Sequence, residues 1–161
     1  ADVLDVGSST GGFVQILLQR GAKSVTALDV GSSQLSEILR RDPRVIVREN
    51  TDIREFASKK KFDLITCDVS FISLKEILPS IDALAGENCD IILLFKPQFE
   101  VGRSAKRNKK GVVTDAKAVR EARAKFELAA ANLGWIMRQT LECEVKGKEG
   151  NAEFFYAFNK R

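Results

Sequence analysis

The sequence predicts an α/β domain: an open, mostly parallel, seven-stranded sheet with helices on both faces and an antiparallel strand toward its C-terminal end. Three observations lead there. Segments of strand-like apolar content alternate with segments whose apolar residues recur at helical spacing. Residues 89–95 are almost wholly apolar, the signature of a strand buried on both faces. Asp5, Asp29, Asp68 and Lys96 each fall at or near the end of an expected strand. Core packing does not explain that placement, whereas ligands of such sheets bind outside the carboxyl ends of the strands.

Taken in order, residues 3–6 read as a short buried strand. A Gly/Ser turn follows, and then a helix over 13–20 with Phe13, Val14, Leu17 and Leu18 on one face. Gly21 ends that helix where left-handed backbone favours glycine. Residues 24–30 form a second strand with Asp29 at its end. Ser32 or Ser33 is expected to cap a helix running through Leu35, Ile38 and Leu39 until Pro43 breaks it. Residues 44–48 are a third strand, the polar stretch 49–61 a loop with a short helix, and 62–68 a fourth strand ending on an acid. A helix over 74–84 and a turn at Gly86-Glu87-Asn88 lead into the strand 89–95, closed by Lys96-Pro97. Asp115 caps an alanine-rich helix that reaches Asn132 and stops at Gly134. The last two strands, 135–144 and 153–158, are joined by a polar turn at 146–151.

Composition narrows the function classes. At 161 residues the chain suits one domain whose core needs no disulfides. Cys67, Cys89 and Cys143 are an odd set without a C-x-x-C pair and read as reduced thiols of a cytoplasmic protein. There is no histidine, which removes His-based triads and most zinc sites. No metal is expected, and Asp, Glu and Lys are left to carry proton chemistry. No apolar run approaches the roughly 18 to 20 residues that span a bilayer, and no secretory signal is seen, so no membrane partner is expected. Lys and Arg outnumber Asp and Glu by 26 to 22, a mild bias toward polyanionic partners. The chain opens on Ala1-Asp2-Val3, already strand-like, and is expected to be a piece of something longer.

The first turn, Asp5-Val6-Gly7-Ser8-Ser9-Thr10-Gly11-Gly12, is the expected cofactor loop. A dinucleotide fingerprint, G-x-G-x-x-G, fails here at its second glycine. The pattern acid-x-Gly-x-Gly-x-Gly of S-adenosylmethionine sites is met by Asp5, Gly7 and Gly11, with Ser9 in place of the middle glycine and Gly12 as an extra small residue. Asp29, followed by Val30, suits the two hydroxyls of a ribose, which NAD and S-adenosylmethionine share. Asn50-Thr51-Asp52 follows the third strand and is positioned to face an adenine, with Asp52 accepting from its amino group. A tight turn without a ligand remains an alternative for the glycines, as does a solvent-exposed loop for residues 50–52.

Several longer segments resemble one family. The cofactor turn continued to Phe13, Leu28-Asp29-Val30-Gly31, Cys67-Asp68-Val69-Ser70-Phe71-Ile72-Ser73-Leu74, and Phe95-Lys96-Pro97-Gln98-Phe99-Glu100 closely resemble the TlyA family of hemolysin-like, FtsJ-like ribosomal RNA methyltransferases. Lys110-Gly111-Val112-Val113 and Gly150-Asn151-Ala152-Glu153-Phe154-Phe155 fit the same pattern. The resemblance implies a Rossmann-like class I methyltransferase domain over 1–161, S-adenosyl-L-methionine as cofactor, and methyl transfer to a ribose 2′-hydroxyl of ribosomal RNA, cytidine in the best-known cases. It implies ribosomal RNA or ribosomal subunits as partner. Of the wider group's Lys-Asp-Lys-Glu tetrad it assigns Asp68, Lys96 and Glu153. It also implies an upstream S4-like RNA-binding domain and a first tetrad lysine before the cofactor strand, neither of which falls within the sequence.

These residues make chemical sense without the family. A sugar hydroxyl is a poor nucleophile until its proton is drawn toward a base. Lys96 is the expected neighbour of the attacking oxygen, with Asp68 and Glu153 orienting it; whether it acts neutral, as base, or charged, as stabiliser of the alkoxide, stays open. Phe71 and Phe99 flank that position and offer faces for a stacked base, although aromatic residues beside strand ends more often belong to the core. The segment 98–114 carries Arg103, Lys106, Arg107, Lys109 and Lys110 against the single acid Glu100, and reads as a mobile lid that contacts RNA phosphates, with an ordinary solvated loop as the alternative. Rival readings are an NAD-linked oxidoreductase, disfavoured by Ser9, a hemolysin-like membrane-active protein, and a catalytically silent RNA-binding module.

Overall fold

In a computed structural model, which describes residues 1–146 and 150–161, the strands are β1 (Asp2–Val6), β2 (Ser24–Leu28), β3 (Val45–Arg48), β4 (Phe62–Cys67), β5 (Ala85–Phe95), β6 (Trp135–Glu142) and β7 (Phe154–Lys160). They form one seven-stranded sheet in the order β3-β2-β1-β4-β5-β7-β6. The pairs among β1 to β5 are parallel, and β7 runs antiparallel between β5 and β6. The chain steps outward from β1 to β3 and then returns to the other side of β1 with β4. That reversal opens a crevice at the carboxyl ends of β1 and β4, where open α/β sheets bind ligands.

Alternation along the strands sorts the core into two layers. On one face Leu4, Val6, Ile65, Ile91 and Phe95 pack with α3 (Leu74–Leu84) and α5 (Ala116–Asn132). On the other, Val3, Val25 and Ala27 pack with Val14 and Leu18 of α1 (Gly12–Gln19) and with Leu39 of α2 (Glu37–Arg40). Phe126 of α5 lies 5.4 Å from Phe95 and 4.9 Å from Tyr156, centroid to centroid, locking that helix over β5 and β7. Among the described residues no helix is long and apolar enough to cross a membrane.

The expected elements are present with four corrections. The second helix does not start at Ser32 or Ser33. The Glu49 carboxylate accepts from the backbone N–H groups of Gln34 and Leu35 at 2.7 and 3.2 Å and pairs with Arg40, which holds the chain out of helical geometry until Ser36. Residues 49–61 hold no helix, only a turn in which Glu55 and Phe56 donate to the Asp52 carbonyl. The fifth strand reaches back to Ala85, which pairs with Phe62, and the Gly86-Glu87-Asn88 turn is absorbed as an irregularity of the ladder, with Asn88 at φ 60°. Lys96-Pro97 does not simply close that strand; Pro97–Glu100 form a single helical turn, α4. The turn read at 146–151 lies partly outside the described residues, since 147–149 are not among them.

Candidate active site

The cofactor turn is shaped by two glycines and not by the third. Gly7 adopts φ +79°, and a Cβ there would overlap the carbonyl oxygen of Asp68, so only glycine lets the ends of β1 and β4 approach this closely. Gly11, at φ +107°, caps α1, and a Cβ on it would strike the methyl groups of Leu39 and Leu35. Gly12 faces open space. The turn is laced to the second strand: Gly7 and Ser8 N–H donate to the Leu28 carbonyl at 2.8 and 3.0 Å, and Ser9 N–H donates to the Asp29 carboxylate at 2.7 Å. Thr10 is exposed, and its carbonyl accepts from Ser36 N–H.

Beneath the turn sits a buried acid. Asp5 is fully buried; one oxygen accepts from the Thr66 hydroxyl at 2.6 Å and the other has no partner among the described residues. Burial pushes its carboxyl up to about 6, against the Thr66 hydrogen bond, and the nearby Asp68 and Asp29 charges push the same way. The Ser8 hydroxyl, also buried, likewise lacks a partner.

A cleft of about 260 Å³ opens between this turn, the ends of β2 and β4, and the segments around 51–53 and 69–72. Asp29 stands on its wall, its two oxygens accepting from Ser9 and Gly31 N–H at 2.7 and 2.8 Å, and each oxygen retains a lone pair for a hydroxyl. Val30 lines the same wall and is largely exposed. Asn50, at φ 54°, shapes the loop through its N–H to the Gly31 carbonyl and is not among the lining residues. Asp52 lines the cleft, but Arg54 grips both its oxygens, at 3.1 and 2.7 Å, which holds the carboxyl below its usual range. The apolar walls, Leu28, Ile53, Val69 and Ile72, were not singled out from sequence. Leu28, Val69 and Ile72 stand inside the quoted motifs, and Ile53 is one of the few apolar residues of the polar stretch 49–61.

At the mouth of the cleft, Asp68 meets Lys96. The ammonium group lies 2.5 Å from an Asp68 oxygen and donates to the Ser70 hydroxyl at 3.2 Å, with the lysine side chain only 13 % exposed. Glu153 is buried just before β7, and its carboxylate accepts from the Gln98 amide at 2.9 Å, not from Lys96. The structure thus joins Lys96 to Asp68 and gives Glu153 a partner that sequence reasoning passed over. Phe71 is 89 % exposed, adopts φ 66°, and stands 5.0 Å from Phe99. A large aromatic side chain on left-handed backbone is an uncommon, strained choice.

The basic segment, expected as a mobile lid, makes backbone contacts of its own and with the rest of the fold. Arg103, Lys106, Arg107, Lys109 and Lys110 are all exposed. Arg107 and Val113 form a β-bridge, Asn108 closes the turn between them, and Val113 N–H donates to the buried Asn151 side chain at 2.9 Å.

Comparison with known proteins agrees with this geometry. The profile of the FtsJ-like methyltransferases matches residues 1–160. The chain is 59 % identical over 98 % of its length to the 23S rRNA (cytidine-2'-O)-methyltransferase TlyA of Campylobacter jejuni, and 43 % identical over 94 % of its length to the 16S/23S rRNA (cytidine-2'-O)-methyltransferase TlyA of Mycobacterium tuberculosis. It spans 61 % and 58 % of those two proteins, about three fifths of their length. A solved protein of Lactococcus lactis, provisionally described as a hemolysin, superposes with a TM-score of 0.92 at 38 % identity, over 99 % of this chain and 78 % of that one. The N-methyltransferase NodS of Bradyrhizobium japonicum, solved with S-adenosyl-L-homocysteine, shares the fold alone, at 14 % identity and a TM-score of 0.67 over 99 % of this chain and 78 % of that one. With its glycine turn, its Rossmann-like sheet and this match over nearly every residue, the chain belongs to the FtsJ-like methyltransferase family, in its TlyA group.

Proposed function

We propose that this chain binds S-adenosyl-L-methionine in the cleft and transfers its methyl group to the 2′-hydroxyl of a cytidine in ribosomal RNA. The observation that carries the reading is the Lys96–Asp68 pair, held at the mouth of a cleft that Asp68 itself lines. The cleft suits the cofactor on the chemistry of its walls: a carboxylate with free lone pairs for a ribose and apolar faces for an adenine. When bound, the cofactor supplies an electrophilic methyl on a sulfonium that leaves as a neutral thioether.

The protein's share is orientation and charge. Lys96 stands nearest the ribose oxygen, where its N–H groups stabilise the negative charge that grows there, and as the new O–CH3 bond forms the hydroxyl proton passes to the neighbouring Asp68 carboxylate. Asp68 and Ser70 fix the lysine's direction. Glu153 completes the polar floor from the β7 side. Phe71, exposed at the rim, stacks the base of the target nucleotide, and the basic hairpin of residues 106–114 binds phosphates and sets position without reading sequence. Calorimetry with S-adenosylmethionine and NAD in parallel tests the cofactor; binding of NAD alone refutes it. Methyl transfer to ribosomal subunits, mapped for 2′-O products, tests the reaction. Lys96→Ala is expected to abolish transfer and leave cofactor affinity nearly unchanged, and near-normal turnover by that variant refutes the role of Lys96.

A further inference from the structure

We propose that Gln98 is a positioning residue for Glu153, holding its carboxylate at the active site and tying it to the basic hairpin; this rests on the methyl-transfer reading above. Glu153 is 8 % exposed, and among the described residues it has no ion pair. A carboxylate so placed needs hydrogen-bond donors, and Gln98 supplies one at 2.9 Å from 55 residues away in the chain. The amide's orientation is informative. Its oxygen is buried without a partner, yet turning the amide over would aim that oxygen at the carboxylate. Only the amide nitrogen can serve an acceptor-only carboxylate, so the donor side of Gln98 belongs on Glu153.

The backbone beneath Gln98 is held from several sides. Within α4, Phe99 N–H donates to the Lys96 carbonyl at 2.9 Å and Val101 N–H to the Pro97 carbonyl at 3.0 Å. Glu100, at the end of the same turn, accepts from Leu74 N–H and the Ser73 hydroxyl, each at 2.7 Å. One fixed turn thus carries both Lys96 and the donor to Glu153, so the two groups keep a set relation across the site. The hairpin reaches this unit twice: Arg107 donates to the Gln98 carbonyl at 3.4 Å, and Val113 N–H donates to Asn151, two residues before Glu153. Phosphates bound on the hairpin therefore bear on the segments to either side of Glu153.

The test uses the full-length protein, ribosomal subunits and radiolabelled S-adenosylmethionine, with four variants: Gln98→Met, Gln98→Glu, Glu153→Gln, and the double exchange of the last two. Gln98→Met keeps the length of the side chain and loses the donor. It is expected to lower kcat roughly tenfold or more, the worth of a hydrogen bond to a charged group, while KM for both substrates stays within about twofold. The double exchange restores a hydrogen bond in the reverse sense. It is expected to recover the thermal midpoint lost in the single variants but to leave transfer at the level of Glu153→Gln alone. Wild-type kcat in Gln98→Met overturns the proposal, and so does recovery of transfer by the double exchange, which would make the pair a structural contact. Absence of transfer by the unaltered protein overturns the methyl-transfer reading, and this role with it.

Discussion

Replacing Asp5 with asparagine removes a buried charge while keeping the oxygen that the Thr66 hydroxyl bonds. The carboxyl of Asp5 has an ordinary value of 3.8 and is raised by burial to about 6 in the folded protein. Below the lower value it is protonated in both states and the fold bears no penalty. As pH rises from 3.8 toward about 6 the unfolded chain ionises first, so stability falls, and above about 6 the loss is complete. A shift of that size corresponds to a penalty of about 3 kcal/mol at neutral pH. The asparagine side chain does not ionise, but its amide nitrogen needs an acceptor, and leaving it unpaired costs about 1 to 3 kcal/mol at every pH. The net change at neutral pH is therefore small, and the signal lies in the slope. Urea unfolding of both proteins, followed by circular dichroism from about pH 4 to about pH 7, should give a stability difference that moves by about 3 kcal/mol in favour of the variant as pH rises. Parallel curves over that range would refute the reasoning. Subtracting the two proteins cancels the carboxylates that do not interact with Asp5, so the difference reports on Asp5 and its coupling to Asp68 and Asp29.

The glycines of the cofactor turn separate cleanly. Gly7→Ala must displace the Asp68 carbonyl and adopt left-handed backbone, so a loss of more than about 1 kcal/mol and loss of cofactor binding are expected, whereas Gly12→Ala gains up to about 1 kcal/mol of helix propensity and leaves binding intact; thermal melts and calorimetry check both. Charge-neutral substitution at Lys106, Arg107, Lys109 and Lys110 should weaken RNA binding and flatten its salt dependence, by a slope of about 0.7 to 0.9 for each phosphate no longer neutralised. A salt titration of binding with an unchanged slope removes the hairpin from the RNA interface.

Much of the arrangement is legible in the residues alone. Strand and helix alternation follows from local periodicity, and the strand ends fall where the residues change from apolar to acidic or basic. The failures have local causes that periodicity does not carry. Ser32 and Ser33 are good caps in isolation, yet Glu49, fifteen and fourteen residues onward, claims the backbone of Gln34 and Leu35. Asp52 lines the cleft, and what periodicity does not carry there is that Arg54, two residues away, bonds both its oxygens. The basic segment likewise makes a contact that local sequence does not carry, since the buried Asn151, 38 residues beyond Val113, accepts from its backbone.

By itself the sequence determined the fold class, the glycine turn and its acid, and the family, because each rests on short-range pattern: apolar spacing, glycine at forced backbone angles, contiguous motif. Asp68 was expected beside Lys96, and tertiary structure alone decided the other partnerships. Ser70 accepts from the same lysine, Glu153 is bound by Gln98 and not by Lys96, and Asp5 is left with a buried oxygen unpaired among the described residues. The physical reason is range. Side-chain hydrogen bonds act over about 3 Å, and in a sheet that reverses direction at β1 and β4 the residues brought within that distance lie 26 to 61 positions apart in the chain.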